Sequence, residues 1–155
     1  MLLLKEFVIK GTPSTVTAQQ KGERVVHGKV FHYKKANVRL AEAELRDDLL
    51  EHVPEVPYQC AIFLRVMWLF DKKSLAKKDS RTFKKERPDL DNLLKGCADL
   101  MTDMGFWGDD SQLVKVDLTK AWSKEYPGLF IQIFGLTSDE DYDELVENWR
   151  VVPYD

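Results

Sequence analysis

The chain lacks most of the features that would place it outside the ordinary range of globular proteins. Its 155 residues include only two cysteines, which excludes a disulfide framework as the basis of its stability. Cys60 and Cys97 both lie in apolar patterns, which indicates reduced thiols in a core. The three histidines have no spacing typical of a zinc site. With 44% hydrophobic residues, we expect one domain over residues 1–155.

Long hydrophobic runs are also absent. No apolar run approaches the roughly 18 residues that a membrane span requires. The N-terminal segment 1–10 is interrupted by Lys5 and Glu6 and has no basic region ahead of its leucines, which predicts a first strand and not a secretion signal. We therefore expect a cytoplasmic protein with no membrane partner and no nucleotide cofactor.

An excess of positive charge is missing as well, since the net charge is −3 and nucleic-acid-binding domains are often basic. The charge is unevenly distributed, however. Between Asp71 and Arg87 there are eight basic residues and three acids, a local charge of +5. The eight are Lys72, Lys73, Lys77, Lys78, Arg81, Lys84, Lys85 and Arg87. This segment is either a solvated loop or an arm that follows DNA phosphates.

Hydrophobic periodicity predicts strands and helices in mixed order. Strands are predicted over 1–10, in a hairpin over 24–33 that turns at His27-Gly28, and over 58–70, 112–119 and 129–134. Helices are predicted over 37–52 and from about Asp89 to Met104, where Gly105 ends the second one. Because no regular strand–helix–strand rhythm is present, we expect an α+β domain with helices packed on a mixed sheet.

Two charged segments complete the predicted organisation. Residues 72–86 have few apolar side chains and are predicted to form an exposed, mobile basic loop. Residues 138–150 are acidic and begin with Ser138 and Asp141 in capping-box spacing. Tyr142, Leu145, Val146 and Trp149 would share one helical face there, so the segment is predicted to pack as an amphipathic helix.

The chemistry-bearing residues lie at the two ends of the second long helix. Asp89, Asp91 and Lys95 occur at its beginning, and Asp109 and Asp110 follow its end. Carboxylate oxygens are the ligands that Mg²⁺ prefers, and a lysine can stabilise negative charge on a phosphate. If the turn after the helix brings Asp110 back beside Asp89 and Asp91, the cluster would require a cation. The pattern therefore favours a metal-dependent nuclease.

Each of these residues also has an ordinary structural explanation. Asp89 can cap the helix and Asp91 can interact favourably with its dipole. Gly108-Asp109-Asp110 is a common turn sequence. Lys95 can be a solvated side chain or the i,i+4 partner of Asp91. Taken singly, these residues leave both explanations open.

Two stretches together carry a resemblance to a known family. They are RPDLDNLLK at 87–95 and GFWGDDSQLV at 105–114, separated by one helix length. This pattern resembles the RusA family of Holliday-junction resolvases, which are endonucleases of phages and prophages. The similarity is strongest over about residues 87–116 and weaker in the upstream hairpin region.

The resemblance implies an activity and a site. It implies a homodimer that recognises four-way DNA junctions and nicks two strands with Mg²⁺ or Mn²⁺, in DNA recombination and repair. The residues that match the family's essential groups are Asp89, Asp91, Asp110 and Lys95. The three acids would hold the metal, with Asp109 as an additional candidate, and Lys95 would contact the scissile phosphate or the leaving group. The eight basic residues of the 72–87 segment would bind the DNA.

The sequence is also compatible with other functions. The chain departs from familiar family members in being acidic overall and in carrying a long lysine-rich segment before Asp89. A nuclease of forks or flaps is one alternative, and a junction-binding module that does not cut is another. A third is a protein-interaction adaptor that uses Tyr142 and Trp149 of the acidic terminal helix as anchors.

Overall fold

The strands and helices follow the order that the periodicity predicts, with one additional short strand. The computed structural model describes residues 1–17, 21–71 and 81–149. The strands are β1 Leu2–Lys10, β2 Lys21–Val26, β3 Lys29–Lys34, β4 Ala61–Phe70, β5 Arg81–Phe83, β6 Leu113–Ser123 and β7 Gly128–Leu136. The helices are α1 Ala36–Leu50, α2 Leu90–Met104 and α3 Asp139–Leu145. Short 3-10 helices cover Asp110–Gln112 and Glu147–Trp149.

Five of the strands form one mixed sheet in the order β1-β7-β4-β6-β5. Strands β4 and β6 are parallel, whereas the other neighbouring pairs are antiparallel. Strand β4 is central, as its nearly continuous apolar sequence predicts for a strand with neighbours on both sides. The sheet and its helices form a single α+β domain, which confirms the predicted class.

The core lies between α1, α2 and one face of the sheet. Alternate residues of β4 contribute to it and are almost fully buried: Ile62, Leu64, Val66, Trp68 and Phe70. Helix α2 contributes Cys97 and Met101 from its apolar stripe. Burial raises the pKa of the Cys97 thiol to about 12, so this cysteine is held as the neutral thiol. Among the described residues, no helix is both long enough and apolar enough to span a membrane.

The direction of α2 fixes where its two ends lie. Because α2 connects two parallel strands, it runs opposite to β4 and β6, and its N-terminus lies at the ends of these strands. Its C-terminus lies at the strand beginnings, where Tyr58 pairs with Trp107. Gly105 ends the helix as predicted, with a φ of 91° that a residue with a side chain adopts at a cost.

Strands β2 and β3 form a separate two-stranded hairpin. They pair antiparallel in the register Val25↔Val30 and Arg24↔Phe31. The turn lies at His27 and Gly28, which have φ values of 51° and 76°. Positive φ at both central residues is the geometry that a tight two-residue hairpin turn requires. The predicted hairpin and its turn are therefore confirmed.

The prediction of an exposed basic loop over 72–86 is wrong for its final part. Residues 72–80 lie outside the described residues. Arg81–Phe83 form β5, which pairs with Ala121–Ser123 of β6. Lys84, only 5% exposed, lies with its ammonium 4.3 Å from the ring centre of Trp122 and 5.3 Å from that of Phe70. The aromatic rings come from β4 and β6, which are distant in sequence, so no local sequence pattern could predict this burial.

The C-terminal helix also differs from its prediction. Helix α3 ends at Leu145, and Tyr142 and Trp149 are 57% and 81% exposed and therefore do not belong to the core. The buried member of α3 is Asp141, whose carboxylate accepts hydrogen bonds from the backbone amides of Thr137 and Ser138. An ion pair with the Met1 amine and these amide bonds hold the pKa of Asp141 well below its usual range. The predicted capping box is confirmed, but the face turned inward is polar.

Candidate active site

The N-terminus of α2 presents two carboxylates to solvent. Asp89 occupies the position just before the helix with extended backbone, yet its carboxylate makes no capping hydrogen bond. Asp91 lies in the first turn and is exposed. The capping role that the sequence leaves open for Asp89 is therefore not observed. Both side chains lie where the helix dipole favours negative charge.

Lys95 lies one turn beyond Asp91 but pairs in the other direction. Its Nζ is 3.0 Å from Oδ2 of Asp99, four residues further along, and the two side chains are 66% and 50% exposed. The pairing with Asp91, which the sequence leaves open as one alternative, is not observed. An exposed pair of this kind contributes little to stability, so Lys95 can leave Asp99 for a stronger anion at low cost.

The backbone ahead of Asp89 is anchored by a lysine of β6. The Nζ of Lys120 donates hydrogen bonds of 2.7 Å to the carbonyl oxygens of Glu86 and Pro88. These carbonyls belong to the three residues that precede Asp89. Lys120 therefore fixes the segment from which the first acid projects, and it acts as a positioning residue.

The anchoring by Lys120 should be measurable as stability. We expect Lys120→Met to lower the free energy of unfolding by about 1.5–3 kcal/mol, because two carbonyls lose a charged donor. Urea denaturation measures this difference. Lys115→Met on the same strand is the matched control, because Lys115 is exposed and its ammonium lies over the Phe63 ring. Equal losses in the two variants would contradict the anchoring role.

Asp110 is held at the opposite end of α2. The hydroxyl of Thr102 donates a hydrogen bond to Oδ1 of Asp110. The indole Nε1 of Trp107, whose side chain is buried, donates to the same hydroxyl oxygen at 2.6 Å. Asp110 itself is exposed and begins the 3-10 helix that leads into β6. The carboxylate is thus fixed on one side and open to solvent on the other.

The carboxylate of Asp109 is engaged in hydrogen bonds within its own turn. Its Oδ1 accepts a hydrogen bond from the backbone amide of Ser111 at 2.8 Å, and Gln112 completes a capping box. Hydrogen bonds from Ser111 lower the pKa of Asp109. The side-chain amide of Gln112 also donates to the carbonyl oxygens of Tyr58 and Cys60, which ties the turn to the start of β4. This capping role supports leaving Asp109 outside the main set of acids.

Within one chain, the loop after α2 does not bring Asp110 back to the other two acids. Asp110 contacts Thr102, which lies eleven residues beyond Asp91 on the same helix. At 1.5 Å of rise per residue, that is a separation of about 16 Å along the axis. Consistently, the described residues contain no group of three or more potential ligands that could hold a metal. The expected cluster is therefore not assembled by a single chain.

The eight predicted DNA-binding residues fall into three groups. Lys85 and Arg87 are exposed directly before Asp89. Lys84 is buried against aromatic rings, which removes its ammonium from ready contact with a phosphate. For the others the structure gives no side-chain position: it does not describe Lys72, Lys73, Lys77 and Lys78, and it describes only the backbone of Arg81.

Two residues that matter for the site were missed in the sequence. Thr102 follows Asp91, Lys95 and Asp99 at helical spacing, and that spacing could have placed it on the same face. Lys120 could not have been found in this way. Its contact to the segment before Asp89 depends on β6 lying beside that segment in the folded chain.

Exposed carboxylates at a helix N-terminus, with a lysine one turn on and further cations just upstream, are groups suited to the hydrolysis of a phosphodiester. Comparison with known proteins gives the same class. The family model described as endodeoxyribonuclease RusA matches residues 12–134, and the chain belongs to this family. A crossover junction endodeoxyribonuclease RusA of Lactococcus phage r1t is 32% identical over 115 residues, covering 74% of this chain and 85% of the relative. The resemblance seen in the sequence is confirmed, and the chain is an endodeoxyribonuclease.

Proposed function

We propose that this chain resolves four-way DNA junctions by paired nicks, as a homodimer that uses Mg²⁺ or Mn²⁺. The phage relative is named for crossover junctions, and it aligns across most of both chains. The observation that carries the proposal here is the presentation of Asp89 and Asp91 beside Lys95 at the start of α2. The exposed Lys85 and Arg87 lie immediately before these groups, where they can hold a phosphate backbone.

The donor chemistry fits a divalent metal. Asp89 and Asp91 offer exposed carboxylate oxygens, and Asp89 makes no capping bond that metal binding would have to break. Asp110 offers a third carboxylate, steadied by Thr102. Oxygen ligands of this type suit Mg²⁺ and Mn²⁺. When bound, such an ion supplies positive charge and Lewis acidity for phosphodiester hydrolysis.

The chain's own residues then have distinct roles. Lys95 would leave Asp99 and place its ammonium on the scissile phosphate, where it stabilises the charge that develops during cleavage. Lys120 keeps the segment before Asp89 in place. Trp107 and Thr102 orient the Asp110 carboxylate. These contacts hold the Asp110 carboxylate and the backbone before Asp89 in place before DNA binds, which lowers the cost of assembling the site.

A second copy of the chain would complete the acidic set. Asp110 lies about 16 Å along α2 from Asp91, a distance too long for one metal ion to bridge. A two-fold dimer in which two α2 helices lie antiparallel would place Asp110 of the partner subunit near Asp89 and Asp91. The dimer would then contain two identical sites, which suits the nicking of two strands.

The outer edge of β6 is the surface that supports such a dimer. Strand β5 pairs with Ala121–Ser123, and the backbone amide of Lys84 donates to the carbonyl of Lys120, so among the described residues the edge from Leu113 to Thr119 has no strand partner. Val114 and Val116 are exposed there, at 60% and 41%. Antiparallel pairing of two such edges would continue the sheet and set the two α2 helices side by side in opposite directions.

A cleavage assay on three substrates tests the proposed function. Purified protein with Mg²⁺ should nick a synthetic four-way junction at symmetric positions in two strands of like polarity. A flap and a linear duplex of the same sequences should be cut much more slowly. Cleavage mainly of flaps or forks would instead favour the alternative nuclease. Junction binding without cleavage in any divalent metal would favour a module that does not cut.

A further inference from the structure

The β2–β3 hairpin is the most basic part of the described structure outside the segment before Asp89. Residues 21–35 contain five lysines or arginines and one glutamate, a charge of +4 in a chain of net charge −3. Arg24, Lys29 and Lys35 are exposed. The only acid, Glu23, lies 3.6 Å from His32 on the neighbouring strand. The hairpin therefore presents a concentration of positive charge to solvent.

The hairpin also exposes apolar and aromatic side chains. Phe31 and Tyr33 are 51% and 46% exposed, and Val25 is 68% exposed. Among the described elements, its two strands pack mainly against each other, and none of its described side chains is buried. A two-stranded hairpin of this kind has little stability of its own in water. Its exposed aromatic surface therefore indicates a partner.

Cations and aromatic rings share one face of the hairpin. Arg24 is directly opposite Phe31, and Val26 is directly opposite Lys29. Since side chains alternate along a strand, Arg24, Lys29, Phe31 and Tyr33 all point to the same side. We call these four residues the Arg24 face. Among the residues whose side chains the structure describes, the opposite side carries Glu23, Val25, Val30 and His32, and no aromatic ring is paired with an arginine or lysine there.

We propose that the Arg24 face binds branched DNA, with Arg24 and Lys29 on phosphates and Phe31 and Tyr33 stacked on exposed bases near the crossover. Positive side chains interleaved with aromatic rings are the combination that holds unpaired nucleotides, because every base has a face on which a ring can stack. A two-stranded ribbon also has the width that a major groove admits. This inference rests on the proposed function, and it assigns DNA binding to a second surface apart from α2 and residues 72–87.

A charge-removal variant tests the phosphate contacts. In the full-length protein, Arg24→Gln/Lys29→Gln should weaken binding to a four-way junction by at least tenfold at moderate salt. The slope of log affinity against log salt should become shallower by about 2, one for each lost phosphate contact. The control is Lys10→Gln/Lys124→Gln, which removes the same charge from exposed positions at the end of β1 and just after β6. The control should keep the slope of the wild-type protein.

An aromatic variant tests the stacking. Phe31→Ser should weaken junction binding by about tenfold, which is the effect expected for one lost stacked base. Val25→Ser, on the opposite side of the hairpin, is the matched control and should bind like wild type. At saturating DNA both variants should cleave at the wild-type rate, because the hairpin is separate from the acids and Lys95. Unchanged thermal melting would show that both variants are folded.

The outcomes separate this inference from the proposed function. If wild-type protein binds and cuts the junction but the hairpin variants do the same with an unchanged salt slope, the Arg24 face does not bind DNA. If these variants instead shift the protein from dimer to monomer in light scattering, the face is an interface between copies and the inference is overturned. If wild-type protein neither binds nor cuts any junction, the proposed function fails as well.

Discussion

Asp91→Asn should reduce junction cleavage by about a thousandfold while leaving junction binding intact. The substitution keeps the shape of the side chain but removes a charged oxygen at the N-terminus of α2, and loss of one preorganised charged group commonly has an effect of this size. Binding should be equal or slightly tighter, because the carboxylate repels phosphates. Since Asp91 is exposed, the melting temperature should not change. Cleavage and gel-shift assays on the same junction measure both quantities.

Asp103→Asn provides the matched control for this variant. Asp103 lies on the same helix, is exposed, and pairs with Arg46 at 2.6 Å on the side of α1. Removing its charge changes the net charge of the protein equally but leaves the candidate site untouched. Cleavage by Asp103→Asn should therefore match wild type. An equal loss of cleavage in both variants, or full cleavage activity of Asp91→Asn, would show that Asp91 is not part of the active site.

Mixing two inactive variants should restore cleavage. Asp91→Asn and Asp110→Asn homodimers each lack one acid in both sites and should be inactive. In a mixed dimer with shared sites, one site contains both substitutions and the other contains none. Random exchange of subunits should therefore recover about a quarter of the wild-type sites, each able to nick one strand. The measurement is single-strand nicking after the two proteins are unfolded together and refolded.

The control for the mixing experiment pairs Asp89→Asn with Asp91→Asn. Both residues lie at the same end of α2, so every site of that mixed dimer would carry one substitution. No recovery is expected from this pair. If Asp91→Asn and Asp110→Asn also fail to complement each other although mixed dimers form, each chain uses its own acids, and the shared arrangement is wrong.

Elements determined by local pattern were predictable. The unbroken apolar run of β4, the apolar stripe of α2 and Gly105 at its end all depend on residues close together in sequence. The His27-Gly28 turn was predictable for the same reason, because its conformation favours few residue types. Candidate acids could be identified because their spacing matches a family motif, and the family model confirms that membership.

What could not be predicted depends on tertiary contacts. Lys95 has an aspartate four residues away on either side, so spacing alone could not select Asp99 over Asp91. Lys84 is buried because Phe70 and Trp122, distant in sequence, come together around it. The position of Asp110 depends on the contact of Trp107 with Thr102. Spacing in the sequence could not distinguish a loop that returns along the helix from one that stays at its end.

In the proposed homodimer, helix α2 would set the distance between the two metal sites. Each copy would give its N-terminal acids to one site and Asp110 to the other, so the two metal sites would stand as far apart as Asp91 and Thr102 on one helix. Eleven helical residues correspond to about 16 Å, and a helix holds that distance far more rigidly than a loop. The distance between the two nicks in a junction would then be set by the length of α2.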